Sequence, residues 1–93
     1  MSQVRTPLTA AQLAEVLDTL PEWSGDSSRI SRTVRLDPAQ RRAVTEAADA
    51  LDHHPVLEEL PDGRTRLVLW THVTDAVTDA DVALAVRLDA LLG

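Results

Sequence analysis

Three tetrapeptides fix where helices can begin in this chain: 9-TAAQ-12, 37-DPAQ-40 and 78-TDAD-81. Each opens with a Thr or Asp whose side-chain oxygen can accept from a backbone N–H of the coming first turn. Each closes with a Gln or Asp that can return a bond to the opening residue's own N–H. The spacing therefore predicts three helices and leaves the segments between them for a sheet.

In the first, Leu13, Val16, Leu17 and Leu20 recur at helical spacing, Leu8 can staple against Leu13, and Pro21 favours a stop. In the second, Pro38 suits the first helical position, and Val44, Ala47, Ala48 and Leu51 form a narrow stripe whose alanines permit close packing. Pro55 disfavours helical geometry at His54, so this helix should end near Asp52 or His53. In the third, Val77 and Val82 form the staple, and Leu84, Ala85, Leu88, Leu91 and Leu92 supply the buried face.

Between the first two helices, 29-RISRTVRL-36 sets Ile30, Val34 and Leu36 against Ser31, Thr33 and Arg35, the alternation of a strand. Val56 to Leu60 and Arg64 to His72 are extended segments joined by the turn signal 61-PDG-63, which reads as a hairpin. A weaker strand signal lies around Glu22 to Ser24. The expected architecture is α+β: a four-stranded antiparallel sheet with three helices on one face, as one domain over residues 1–93.

Composition narrows the chemistry. The chain has neither Phe nor Tyr, so Leu, Val, Ala and two Trp must fill a small core, and burial against further subunits, as a homodimer or homotetramer, is expected to help. It has no Cys for a disulfide, thiolate nucleophile or metal ligand, and no Lys for Schiff-base chemistry. No apolar run is long enough to span a membrane, and MSQVRTPLTAAQ lacks the apolar core of a signal peptide, so a cytoplasmic protein is expected. A net charge of −6, with nine dispersed Arg, argues against direct binding to nucleic acid or anionic membrane.

All three histidines fall in 51-LDHHPVLEELPDGRTRLVLWTHV-73. His53 and His54 sit where a helix gives way to an extended segment, and His72 ends a strand that can run beside it. That crossing can gather three imidazoles at one cleft, and imidazole both gives and takes protons near neutral pH. Asp49, one helical turn before His53, and Asp52, directly before it, can orient such a ring. The plainer reading is a helix end carrying dipole-compensating histidines, an exposed strand residue at His72, and Asp81 as the capping partner of Thr78. A zinc site is the other competitor, but there is no HExxH, and the adjacent pair would have to turn both rings inward. No metal is expected.

Asp49, then 53-HHP-55, a hairpin, 71-TH-72 and Asp81 nine residues further on together resemble the signature of the pterin-4a-carbinolamine dehydratase family. The likeness runs from 8-LTAAQL-13 through Trp23 to the final helix. It implies the family's four-stranded sheet packed on three helices, and dimers or tetramers. It also implies dehydration of a 4a-hydroxytetrahydropterin to the quinonoid dihydropterin by histidine acid/base catalysis, with no cofactor. By position, His53, His54 and His72 become the catalytic set. Asp49, Asp52, Pro55, Thr71, Asp81 and Trp23 become candidates for contact with the pterin, although core packing is the simpler role for Trp23. Trp70 shares a strand face with His72 and Val68, and is placed to line a cleft or a subunit interface.

The chain departs from the family pattern in several places. The segment 56-VLEELPD-62 has no aromatic residue, aromatic residues common in the preceding strand and helix are also missing, Val73 replaces a usual acidic residue, and 76-AV-77 replaces a usual Gly-Leu pair. Loss of that glycine would distort the backbone if the position needs positive φ. The resemblance also admits a noncatalytic alternative, since related proteins serve as a transcription-factor dimerisation partner or resemble an assembly factor for a carbon-fixing enzyme.

Overall fold

The computed structural model describes residues 6–51, 53 and 55–92. Their order is α1 (Ala10–Thr19), β1 (Ser24–Gly25), β2 (Ile30–Val34), α2 (Pro38–Ala50), β3 (Val56–Glu59), β4 (Thr65–Leu69) and α3 (Asp79–Leu92). The strands form one antiparallel sheet in the order β1-β2-β4-β3, so β2 and β4 are central and the β3–β4 hairpin supplies one edge. The first strand is two residues long and begins at Ser24, at the end of the segment where the weak signal lay.

The capping chemistry forms as the sequence predicts. Thr9 and Gln12 exchange bonds of 3.1 and 3.0 Å at the start of α1, and Asp37 and Gln40 exchange bonds of 2.7 and 3.0 Å at the start of α2. The second helix stops at Ala50, short of the expected end. The N–H of His53 reaches back 3.1 Å to the carbonyl of Ala48, a closure that satisfies a terminal carbonyl and turns the chain out of the helix.

One sheet face is covered by the helices. Ile30, Leu67 and Leu69 from the sheet pack with Leu13, Val44, Ala47, Leu84, Ala85 and Leu88 from the three helices. Arg32, two residues on from Ile30, shares its face and so enters this same layer, where it is 8% exposed. Its Nη1 lies 2.6 Å from Asp89 Oδ1 on α3, and the Nε1–H of Trp23 donates to the same oxygen at 2.8 Å. A buried guanidinium needs an acceptor, so this bond ties the last part of α3 to the sheet.

At the turn end of the hairpin, Glu59 ties α2 to β3 and β3 to β4. Arg41 donates to Glu59 Oε1 at 2.7 Å, and the Thr65 hydroxyl donates to Glu59 Oε2 at 3.1 Å. The Arg41 hydrogen bond is the main influence holding the Glu59 carboxyl below its ordinary value.

Asp89→Ala leaves the Arg32 guanidinium and the Trp23 N–H without their shared acceptor, and is expected to lower the unfolding free energy in urea by about 2–3 kcal/mol. For Glu59, a lowered folded-state pKa means that its contribution is complete above the unfolded-state value and is lost as pH falls through the folded one. The stability gap between wild type and Glu59→Gln is therefore expected to be full above pH 4.5 and to close below it, as followed by denaturation at successive pH values.

Candidate functional site

The end of α2, the end of β4 and the start of α3 meet at one carboxylate. Asp81, in the first turn of α3, has no solvent exposure, and His53, just beyond α2, is 6% exposed. His53 Nε2 is bonded to Asp81 Oδ1. Asp81 Oδ2 accepts the Thr78 N–H at 2.8 Å and the Thr71 hydroxyl at 3.0 Å. The Thr71 and Thr78 hydroxyl oxygens are 2.8 Å apart, and Thr78 Oγ1 accepts the Ala80 N–H at 3.2 Å. One consistent chain of donors follows: Ala80 N–H to Thr78, Thr78 hydroxyl to Thr71, and Thr71 hydroxyl to the carboxylate.

Asp81 is therefore both the capping partner of Thr78 and the anchor of an imidazole. One oxygen serves each role. An ionised carboxylate only accepts, so Nε2–H of His53 is the donor in this bond.

His72 is held differently. Its side chain is exposed, and its ring centroid lies 4.5 Å from that of Trp70 with the planes tilted by 42°. The regular pairing of β4 ends at Leu69 because its partner on β2, Ile30, is the first residue of that strand. Beyond it, Thr71 bridges to Ala76 through bonds of 2.9 and 3.4 Å, and residues 72–75 form the intervening turn. Asp75 carries the left-handed conformation, with φ 50°. Among the described residues, Ala76 is not at positive φ. The missing glycine therefore imposes no strain there, because the unusual backbone angle falls one residue earlier on an Asp, which tolerates it better than most side chains.

The other candidates differ in placement. Thr71 points inward to Asp81, and Pro55 is half-buried beside the His53 segment. Asp49 lies exposed near the end of α2. Trp23 is 3% exposed in the core, with its N–H committed to Asp89. Asp52 and His54 lie outside the described residues, and with His54 goes the expected meeting of all three imidazoles. Among the described residues, no three His, Asp or Glu side chains converge as a metal-ligand set.

Sequence reasoning read Thr78 only as a cap and gave Arg29 no role. Thr78 completes the hydroxyl chain beside Asp81, and the Arg29 guanidinium lies 4.3 Å from the Trp70 ring centroid. The capping motif itself held the signal for Thr78, since its partner is also the acidic residue that the motif places opposite the histidines.

Asp81→Asn tests the division of labour within this cluster. The remaining carbonyl oxygen is needed by Thr78 and Thr71, which turns the NH2 toward His53. Because that group only donates, the imidazole is expected to move its proton to Nδ1, seen as an exchange of protonated and unprotonated ring ¹⁵N shifts. The accompanying loss of stability is expected to be about 1–3 kcal/mol.

Residues 6–91 match the family described as pterin 4 alpha carbinolamine dehydratase. A protein from Chloroflexus aurantiacus named "Putative pterin-4-alpha-carbinolamine dehydratase" is 38% identical over 91 residues, covering 92% of this chain and 97% of that one. A Streptomyces coelicolor protein of the same name is 37% identical over 91 residues, covering 91% and 89%. The solved structure named transcriptional coactivator/pterin dehydratase from Brucella melitensis superimposes with a TM-score of 0.79 at 27% identity, covering 95% of this chain and all of that one. With a family match spanning nearly the whole chain, and that family's fold around the His53–Asp81 pair, this chain belongs to the pterin-4a-carbinolamine dehydratase family.

Proposed function

We propose that this protein removes water from a 4a-hydroxytetrahydropterin to give the quinonoid dihydropterin. The observation that carries the reading is the His53 ring fixed through Nε2 to a fully buried carboxylate, which also receives Thr71, the neighbour of His72. In this reaction one imidazolium protonates the C4a hydroxyl, which departs as water. A neutral imidazole takes the N5 proton, and the N5–H electron pair becomes the C4a–N5 double bond. A donor and an acceptor that work near neutral pH meet the chemical need.

His53, His54 and His72 are assigned as the acid/base set. Asp81 orients His53, while Asp49, Asp52, Pro55 and Thr71 complete the surroundings of the pterin. Trp23 is left out of this assignment because its ring is enclosed in the core. Assembly as a homodimer or homotetramer belongs to the same proposal. It is supported by Leu51, Val86 and Leu91, large apolar side chains exposed on the helical layer that a second copy would cover.

A second reading, a noncatalytic binding or assembly protein on this scaffold, draws support from the coactivator in the Brucella protein's name and from Val73. That residue replaces an acidic one in the family pattern and is 94% exposed. Absorbance-monitored dehydration of 4a-hydroxytetrahydropterin separates the readings. Wild type is expected to exceed the uncatalysed rate, and His54→Ala and His72→Ala to lose about 10²-fold or more of that acceleration. His72→Ala is expected to stay within about 0.5 kcal/mol of wild-type stability, because the side chain is exposed. A folded wild type with no acceleration would sink the dehydratase reading and leave the binding one.

A further inference from the structure

His53 and His72 differ in what holds their rings. His53 is pinned by a buried carboxylate. His72 is exposed, and among the described residues its imidazole has no hydrogen-bond partner; the ring contact there is with Trp70. Two side-chain torsions would let such a ring sample several rotamers in water. The tilted ring contact with Trp70 favours one of them.

Trp70 is itself restrained. The β2–β4 pairing ends at Ile30 with Leu69, and its register, continued one step outward, sets Arg29 opposite Trp70. The Arg29 guanidinium lies 4.3 Å from the indole centroid, and its Nη2 is 3.4 Å from Asp75 Oδ1, in the same turn that carries His72. Arg29 is placed by a tight turn between β1 and β2. There, Asp26 Oδ1 accepts the N–H groups of Ser28 and Arg29, and Gly25, at φ 139°, leaves no room for a Cβ against the Arg29 carbonyl. The contacts thus run from Asp75 through Arg29 and Trp70 to His72 and close on a turn of four residues.

We propose that Trp70 is the positioning residue for His72, with Arg29 as the clasp that keeps the indole in place. An aromatic pair of this kind contributes about 0.5–1.5 kcal/mol, enough to favour one rotamer by about two- to tenfold. This rotamer presents the imidazole for reaction, so its depletion lowers turnover in proportion. The rate prediction rests on the dehydratase reading, whereas the placement of the ring does not.

The experiment combines the ring C–H resonances of His72, assigned by their loss in His72→Gln, with kcat and KM for dehydration. Trp70→Ala is expected to move those resonances toward the positions of a solvated histidine and to lower kcat about two- to threefold, as the favoured rotamer falls to about one in three, with KM little changed. Trp70→Phe keeps a stacking surface and is expected to restore both, remaining informative if the alanine variant does not fold. Arg29→Met is expected to give a smaller shift and a fall in kcat of less than about twofold. Resonances that do not move in Trp70→Ala overturn the proposal. A rate lost without such movement overturns it too, by assigning Trp70 to direct contact with substrate. Resonances that respond in a protein without dehydratase activity uphold the positioning and remove the dehydratase reading instead.

Discussion

A carboxylate with no access to water must find its donors within the protein, and Asp81 finds them on three separate segments. His53 arrives from the end of α2, Thr71 from the end of β4, and the Thr78 N–H from the start of α3. Leaving any of them out strands a buried polar group, at about 1–3 kcal/mol. Formation of the candidate site is thus coupled to closure of the fold. The segment before α3 is also strapped on both sides, because Leu8 N–H bonds to the Val77 carbonyl at 3.0 Å and Val77 N–H to the Ser27 carbonyl at 2.8 Å. Asp81 is presented from a backbone that is itself held.

What could be read from the sequence was what local chemistry determines. The caps at Thr9 and Asp37, the 61-PDG-63 turn and the alternation of Ile30 and Val34 each act within a few residues, and each appears in the structure. Arg32 was harder to read. Alternation places it beside Ile30 on the covered face, but the partner that makes burial tolerable is 57 positions away. One sign was present: Asp89 lies toward the C-terminal end of α3, where the helix dipole disfavours an acid and where the last turn holds no basic residue. An acid in that position calls for a cation from another element.

The site was legible in its residue types more than in its contacts. The family motif brought forward His53, His72, Thr71 and Asp81, yet it said nothing of how each ring is held. Asp81 looked like a choice between cap and functional residue, because sequence spacing cannot show that the two oxygens of one carboxylate are used separately. The stack of Arg29, Trp70 and His72 depends on side-chain planes and on the register between β2 and β4, neither of which is a local property. The concern over Ala76 had the same origin: the sequence showed a missing glycine, but only the backbone shows which residue of the turn takes positive φ.

The placement of Thr71 and His72 ultimately follows from the position of β4 in the sheet. These consecutive residues send their side chains to opposite sides, Thr71 inward to Asp81 and His72 outward to Trp70. A slip of one residue would exchange those sides, taking the hydroxyl from the buried carboxylate and turning an indole and an imidazole toward the core. As a central strand, β4 is held by five pairs with β2 and four with β3, whereas β1 has only two. Its buried residues Thr65, Leu67 and Leu69 reinforce the same register from the covered face. The chain thus carries two differently used neighbours on the strand whose register is best determined, and joins them to Asp81 by a turn of four residues that bridges back on itself.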